Sequence, residues 1–143
     1  MKNKHAGGRP PKFKTKEEIQ EKIDKYFSSC FSPILNKNCE IVRDDKGDPI
    51  LQQTRPFTIT GLADALDMSR QCLLNYEGKK EFFDTIMRAK RKCELYTEER
   101  LFDKDGVNGA KFSLANNYDN WREKQEVDLE SDKPFNVNIK VVD

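Results

Sequence analysis

The stretch from Thr60 to Tyr76, TGLADALDMSRQCLLNY, leaves the chain few ways to fold. Leu62, Leu66, Met68, Leu73 and Tyr76 recur at helical spacing in two short runs parted at Asp67-Met68. Thr60 and Ser69 stand where a side-chain oxygen can accept from a free N–H at a helix start. Ala63 is small where two steeply crossing helices come closest. The spacing therefore predicts a helix-turn-helix with its turn at Asp67-Met68. The outward positions of the second helix are then Arg70, Gln71, Asn75 and Leu74. Arg, Gln and Asn form paired hydrogen bonds with guanine and adenine edges. Ser69 and the helix N-terminus suit a phosphate. The same pattern also occurs in helix pairs that pack only against protein.

Charge sharpens the choice. The net charge of the 143 residues is only +1, but it is unevenly spread. Residues 1–14 hold Lys2, Lys4, Arg9, Lys12 and Lys14 with no acid. Two glycines and two prolines there predict a flexible basic arm. Its Gly8-Arg9-Pro10 suits the narrow minor groove of A·T-rich DNA. A second basic set, Lys79, Lys80, Arg88, Lys90, Arg91 and Lys92, follows the helix pair. Between Asp119 and Lys133 the sign reverses. A basic end and an acidic end point to two different partners. The DNA contacts expected on these grounds are Ser69, Arg70, Gln71 and Asn75, with Arg9, Lys12, Lys14, Lys79 and Lys80 on phosphates.

No apolar run approaches the roughly 20 residues of a membrane span, and the N-terminus lacks the apolar stretch of a signal peptide. The expectation is a soluble chain inside the cell with no membrane partner. Cys30, Cys39, Cys72 and Cys93 are widely spaced and read as reduced core residues rather than a zinc or disulfide framework. His5 lies in the polar arm, so a metal site has little to build on. No cofactor is expected.

The remaining chain divides by pattern. Thr15-x-x-Glu18 is a capping box, and Ile19, Ile23, Tyr26, Phe27, Cys30 and Phe31 give the following helix one apolar face that Pro33 ends. Residues 38–51 read as a β-hairpin, with Cys39–Val42 and Pro49–Leu51 flanking the turn-rich Asp44–Asp48. A long helix is predicted from Lys79 to about Phe102 with Phe82, Phe83, Ile86, Met87, Cys93 and Leu101 as its stripe. Asp105–Gly109 breaks it. A shorter helix, about Ala110–Tyr118, follows with Phe112, Leu114 and Ala115 inward. No internal repeat is visible.

The last ten residues alternate, with Phe135, Val137, Ile139 and Val141 on one side. A lone strand with one apolar face invites pairing with copies of itself, and a closed ring of such strands would leave no free edge. A strand docked on the 38–51 hairpin is the alternative.

The chain also resembles a family. Gly8-Arg9-Pro10-x-Lys12-Phe13 is one part of the match, and Pro56–Ala63 (PFTITGLA) followed by Ser69-Arg70-Gln71 and Tyr76-Glu77 is another. Phe82-x-x-x-Ile86-x-x-Ala89-Lys90 and Phe112-x-Leu114-x-Asn116-Asn117 with Trp121–Lys124 complete it. Together, over most of residues 8–126, these resemble the small subunit of phage terminases, also called DNA-packaging proteins. The 38–51 hairpin does not fit the pattern. The resemblance implies a non-enzymatic adaptor in the cytoplasm of a bacterial host. Such an adaptor binds double-stranded viral DNA, forms a homo-oligomeric ring, and recruits and regulates the large terminase subunit, an ATPase and nuclease. It also implies that central helices hold the ring, with Phe83, Ile86, Phe112 and Trp121 as contacts beside Phe135, Val137, Ile139 and Val141.

No G-x-x-x-x-G-K-[ST] is present, and Gly106-x-x-Gly109-x-Lys111 has the wrong spacing for a phosphate loop. Glu98, Glu99, Asp103 and Asp105 read as a solvated helix end rather than a nuclease metal site. The chain is therefore expected not to be an enzyme. The expected fold is mainly α. A basic arm (1–14) leads into a helix-turn-helix domain (15–78) with a hairpin insertion at about 38–51. A helical oligomerisation core (79–118), an acidic linker (119–133) and a C-terminal strand (134–143) follow. A dimeric transcription regulator and a structural assembly protein that binds no DNA are the competing readings.

Overall fold

The computed structural model describes residues 12–122. Those residues form five helices and one two-stranded antiparallel ribbon. In chain order they are α1 (Lys16–Ser29), β1 (Phe31–Pro33), β2 (Leu51–Gln53), α2 (Ile59–Ala65), α3 (Arg70–Glu77), α4 (Phe83–Glu99) and α5 (Val107–Asn117). A single 3₁₀ turn, Arg100–Phe102, joins α4 to the loop before α5. No described helix is long and apolar enough to cross a membrane. The expected C-terminal strand, 134–143, lies outside the described residues.

Thr15 caps α1 as expected: its Oγ1 accepts from the Glu18 amide at 3.3 Å, and the Glu18 carboxylate accepts from the Lys14 amide at 3.2 Å. Ile19, Ile23, Tyr26 and Phe27 point inward, one helical turn apart. Phe31 does not continue the stripe. The helix stops at Ser29, Phe31 starts β1, and more than a third of its surface is exposed. At α2 the cap is Thr58 rather than Thr60, with Thr58 Oγ1 accepting from the Gly61 amide at 2.9 Å. Tyr26 selects it. The Tyr26 hydroxyl accepts from the Thr58 amide (3.0 Å) and donates to the Thr58 carbonyl (3.2 Å), so α1 sets where α2 begins. Gly61 admits that ring, because an added Cβ would lie 2.6 Å from the Tyr26 hydroxyl.

The two short helices pack as their apolar spacing demands. Leu62, Leu66 and Leu73 are fully buried, Ala63 nearly so, and Ser69 Oγ caps α3 by accepting from the Cys72 amide at 3.1 Å. Asp67 takes a left-handed φ of +53°, and the Met68 amide donates to the Ala63 carbonyl at 3.0 Å. Asp tolerates this conformation better than most residues, which explains a tight turn without glycine. Phe13 belongs to the same core: its amide donates to the Tyr76 hydroxyl (3.0 Å) and its ring meets Tyr76 edge-on. One cluster of buried residues runs from Phe13 to Cys93, tying α4 to α1, α2 and α3. Ala110 and Leu114 are the buried residues of α5; Phe112, expected inward, is 73% exposed. Two residues from both, it projects from the opposite side of the helix.

The insertion departs furthest from expectation. The hairpin pairs Phe31–Pro33 with Leu51–Gln53, and residues 34–50 form two further loops. Three backbone hydrogen bonds of 2.9 Å close a ring: Ile34 donates to Ile50, Ile50 to Val42 and Val42 to Ile34. Three short antiparallel arms radiate from it, the β1–β2 stem and the isolated bridges Leu35–Ile41 and Arg43–Pro49. The two loops repeat with an eight-residue offset. Asn36 Oδ1 accepts from the Asn38 and Glu40 amides, and Asp44 Oδ1 accepts from the Lys46 and Asp48 amides. Side chains that fold over their own backbone close each turn within five residues and keep the flanking strands short. The repeat thus exists in geometry, with the Asn36/Asp44 acceptor, the Glu40/Asp48 acid and the aliphatic Ile34, Val42 and Ile50 as the positions common in kind.

The left-handed position of each loop holds Cys39 (φ +61°) in the first and Gly47 (φ +86°) in the second. Cys39→Gly is expected to raise stability by about 0.5–1 kcal/mol by relieving the Cβ clash, net of the added unfolded-state freedom. Urea midpoints of the two proteins measure it; a lower midpoint would contradict the strain.

Two cysteines depart from the core reading: Cys30 and Cys93 are buried, whereas Cys39 and Cys72 are exposed. Burial, with the neighbouring Cys30 thiol, pushes the Cys93 thiol from 9.0 up to about 12. The unfolded chain's thiol therefore ionises first as pH rises. This contribution to stability is intact below pH 9.0 and is lost as pH climbs toward 12. Melting temperature is expected to fall across that window and to fall less in Cys93→Ala, relative to each protein's own value at neutral pH.

Candidate nucleic-acid interface

The outward face of α3 begins with Arg70, Gln71, Leu74 and Asn75, all exposed. Gln71 Nε2 donates to Asn75 Oδ1 at 3.2 Å, so the two amides form one polar edge a helical turn long. Leu74 lies beside them, 49% exposed. Ser69 uses its oxygen as the cap acceptor, which leaves its hydroxyl proton free to be donated. Arg70 leans away from this edge. Its guanidinium donates to Asn117 Oδ1 at the end of α5. Tyr118 follows directly, and burial holds its hydroxyl above the usual tyrosine range.

The expected phosphate contacts divide into two groups. Lys14 and Lys80 line a groove of about 1210 Å³ together with Lys16, Arg88 and Arg91. Glu17, Glu81 and Asp84 line it too, so five bases face three acids. Lys80, Phe83 and Asp84 also border a hollow that reaches Leu74 on α3, making groove and helix face continuous. The other bases have partners within the chain. Lys12 donates to the carboxylate (2.6 Å) and carbonyl (2.8 Å) of Asp67, and Lys79 sits 4.4 Å above the Tyr76 ring. Lys90 forms a largely buried pair with Glu77 at 3.0 Å, and Lys92 lies over the Phe27 ring. Arg9 lies outside the described residues. The groove depends on α1 packing beside α4, which brings Lys14 and Lys16 to Arg88 and Arg91; no local pattern in the sequence announces that meeting.

The residues expected at subunit contacts also separate. Phe83 is 48% exposed and Phe112 more so, while Ile86 is fully buried in the chain's own core. Trp121 is half-buried, its indole N–H donating to Glu94 at 2.7 Å. Phe135, Val137, Ile139 and Val141 lie outside the described residues. On the helical body two exposed apolar side chains went unnoticed in the sequence, Leu95 on α4 and Phe102 in the 3₁₀ turn. An apolar residue at the end of a helical stripe was the signal for Phe102. Among the described residues no group of three His, Cys, Asp or Glu side chains is placed to hold a metal.

The sequence model of a protein family described as DNA-packaging protein gp3 matches residues 8–127. No curated protein and no solved structure matches the chain. The match begins in the basic arm, takes in all five helices and runs past Trp121, in keeping with the small-terminase resemblance of the residues. The chain belongs to the DNA-packaging protein gp3 family.

Proposed function

We propose that this protein is the DNA-recognising small terminase subunit of a phage packaging machine. In this reading α2 and α3 form a helix-turn-helix with α3 as the reading helix. Gln71, Asn75 and Leu74 meet base edges, and Arg70 and Ser69 meet the backbone at the helix start. Lys14, Lys16, Lys80, Arg88 and Arg91 follow the adjoining phosphates. The observation that carries this reading is that the hollow bordered by Lys80 joins the basic groove to the exposed face of α3 at Leu74, beside Gln71 and Asn75. Specific readout and phosphate binding need those two surfaces side by side.

The subunits assemble as a ring through the exposed apolar residues of the helical body that lie outside the groove, Leu95, Phe102 and Phe112, and through residues 134–143. The ring recruits the large subunit, which supplies ATPase and nuclease chemistry, so this chain itself is not an enzyme. Family membership supports the packaging role.

Two measurements on the full chain test the reading. Light scattering should give a closed assembly larger than a tetramer. Fluorescence anisotropy should give duplex binding whose log affinity falls linearly with log salt. A dimer that binds a palindromic site would point to a transcription regulator instead. Absence of any salt-dependent DNA binding would leave a structural assembly role.

A further inference from the structure

Arg70 is the first residue of α3, and its side chain bridges to the last residue of α5, Asn117. The Asn117 amide is used at both ends: Oδ1 accepts from Arg70, and Nδ2 donates to Ser113 Oγ at 3.1 Å. Its orientation is thereby fixed by two partners of opposite kind. Asn117 also closes α5, where unpaired carbonyls give the helix end a negative character that attracts a cation. Arg70 and Asn117 also border a cavity of about 150 Å³, whose other walls include Thr58, Thr60, Thr97 and Ser113 as well as the apolar Phe57 and Ile59. The guanidinium thus lies where α2, α3, α4 and α5 meet, while Arg70 itself stays exposed. A guanidinium carries five N–H donors in a rigid plane, so a bond to Asn117 leaves donors that face solvent at the N-terminal end of α3.

We propose that Asn117 is a positioning residue for DNA binding: α5, through the Ser113–Asn117–Arg70 relay, holds the Arg70 guanidinium ready for the nucleic acid at the start of α3. The inference rests on the DNA-binding reading above and adds that α5, which touches no DNA, sets part of the affinity. An unheld arginine surrenders the freedom of its long side chain on binding; one held beforehand has lost much of it already.

The test uses the full-length chain and a fluorescein-labelled mixed-sequence duplex, read by anisotropy over a salt series. Asn117→Ala is expected to weaken binding about three- to tenfold while leaving the salt slope intact, because the charge on Arg70 remains. Arg70→Ala should lower the slope by about one unit. In the Arg70→Ala background, Asn117→Ala should then cost nothing more. Ser113→Ala, which releases the far end of the amide, should give a smaller loss of the same kind and serves if Asn117→Ala folds poorly. Equal losses from Asn117→Ala with and without Arg70, or no loss at all, overturn the relay. A parent chain that shows no salt-dependent binding instead overturns the DNA reading beneath it.

Discussion

Replacing Lys14, Lys80, Arg88 and Arg91 together by alanine is expected to lower duplex affinity by roughly three orders of magnitude at about 0.15 M salt and to flatten the salt slope by about 3–4 units. Each neutralised phosphate contributes about 0.9 to the slope, so four lost contacts account for both figures. All four side chains are exposed and line one groove or its edge. Removing them should therefore change stability by less than about 0.5 kcal/mol each. That separation makes the experiment decisive: circular dichroism reports an unchanged fold while anisotropy reports the loss. Lys92 is the matched control. Its ammonium sits over Phe27, so its removal should leave the slope within about half a unit of the parent. If the quadruple variant keeps its slope, DNA does not lie in this groove.

Leu73→Ala should cost about 2–5 kcal/mol, because a fully buried Leu is removed from the inner side of α3 where neighbouring helices cannot close the space. Against a total of about 5–15 kcal/mol, a loss of this size takes a large share of the stability. The melting temperature should drop by on the order of 10–30 °C for a domain this size. Leu74→Ala, at the next position on the exposed side, should change stability by under about 0.5 kcal/mol. Thermal melts of the two variants compare the faces of one helix directly. Similar losses at both positions would mean that α3 is not packed as described.

Much of the fold was legible because its signals are local. A cap is a contact between residues three apart, so Thr15 and Ser69 could be assigned from sequence, and both cap as expected. Helical periodicity likewise placed Ile19, Ile23, Leu62, Leu66, Leu73 and Ile86 inside. The sequence pattern places the start of α2 at Thr60; the cap is Thr58, held there by a remote residue, Tyr26. Residues 38–51 read as one β-hairpin around the turn-rich Asp44–Asp48, whereas the ribbon pairs Phe31–Pro33 with Leu51–Gln53. Nothing in their composition showed that Ile34, Val42 and Ile50 would close a ring of hydrogen bonds, because each bond joins segments eight or more residues apart.

The candidate site was legible in kind rather than in layout. Residue types on α3 follow from helical spacing, which is why Gln71 and Asn75 appear together on one exposed edge. The destination of Arg70 does not follow, since Asn117 stands 47 positions away in the chain. The fates of the lysines also differ with neighbours that sequence does not bring near: Lys12 meets Asp67, Lys90 meets Glu77, and Lys14 meets the groove. By itself the sequence determined a helical chain with a short capped helix pair, a turn-rich insertion and basic charge around the pair, all consequences of interactions within about one helical turn. Only the tertiary structure decided which charges remain exposed in one groove, which aromatic residues stay outside the core, and which helix end holds Arg70, because each depends on packing between segments far apart in the chain.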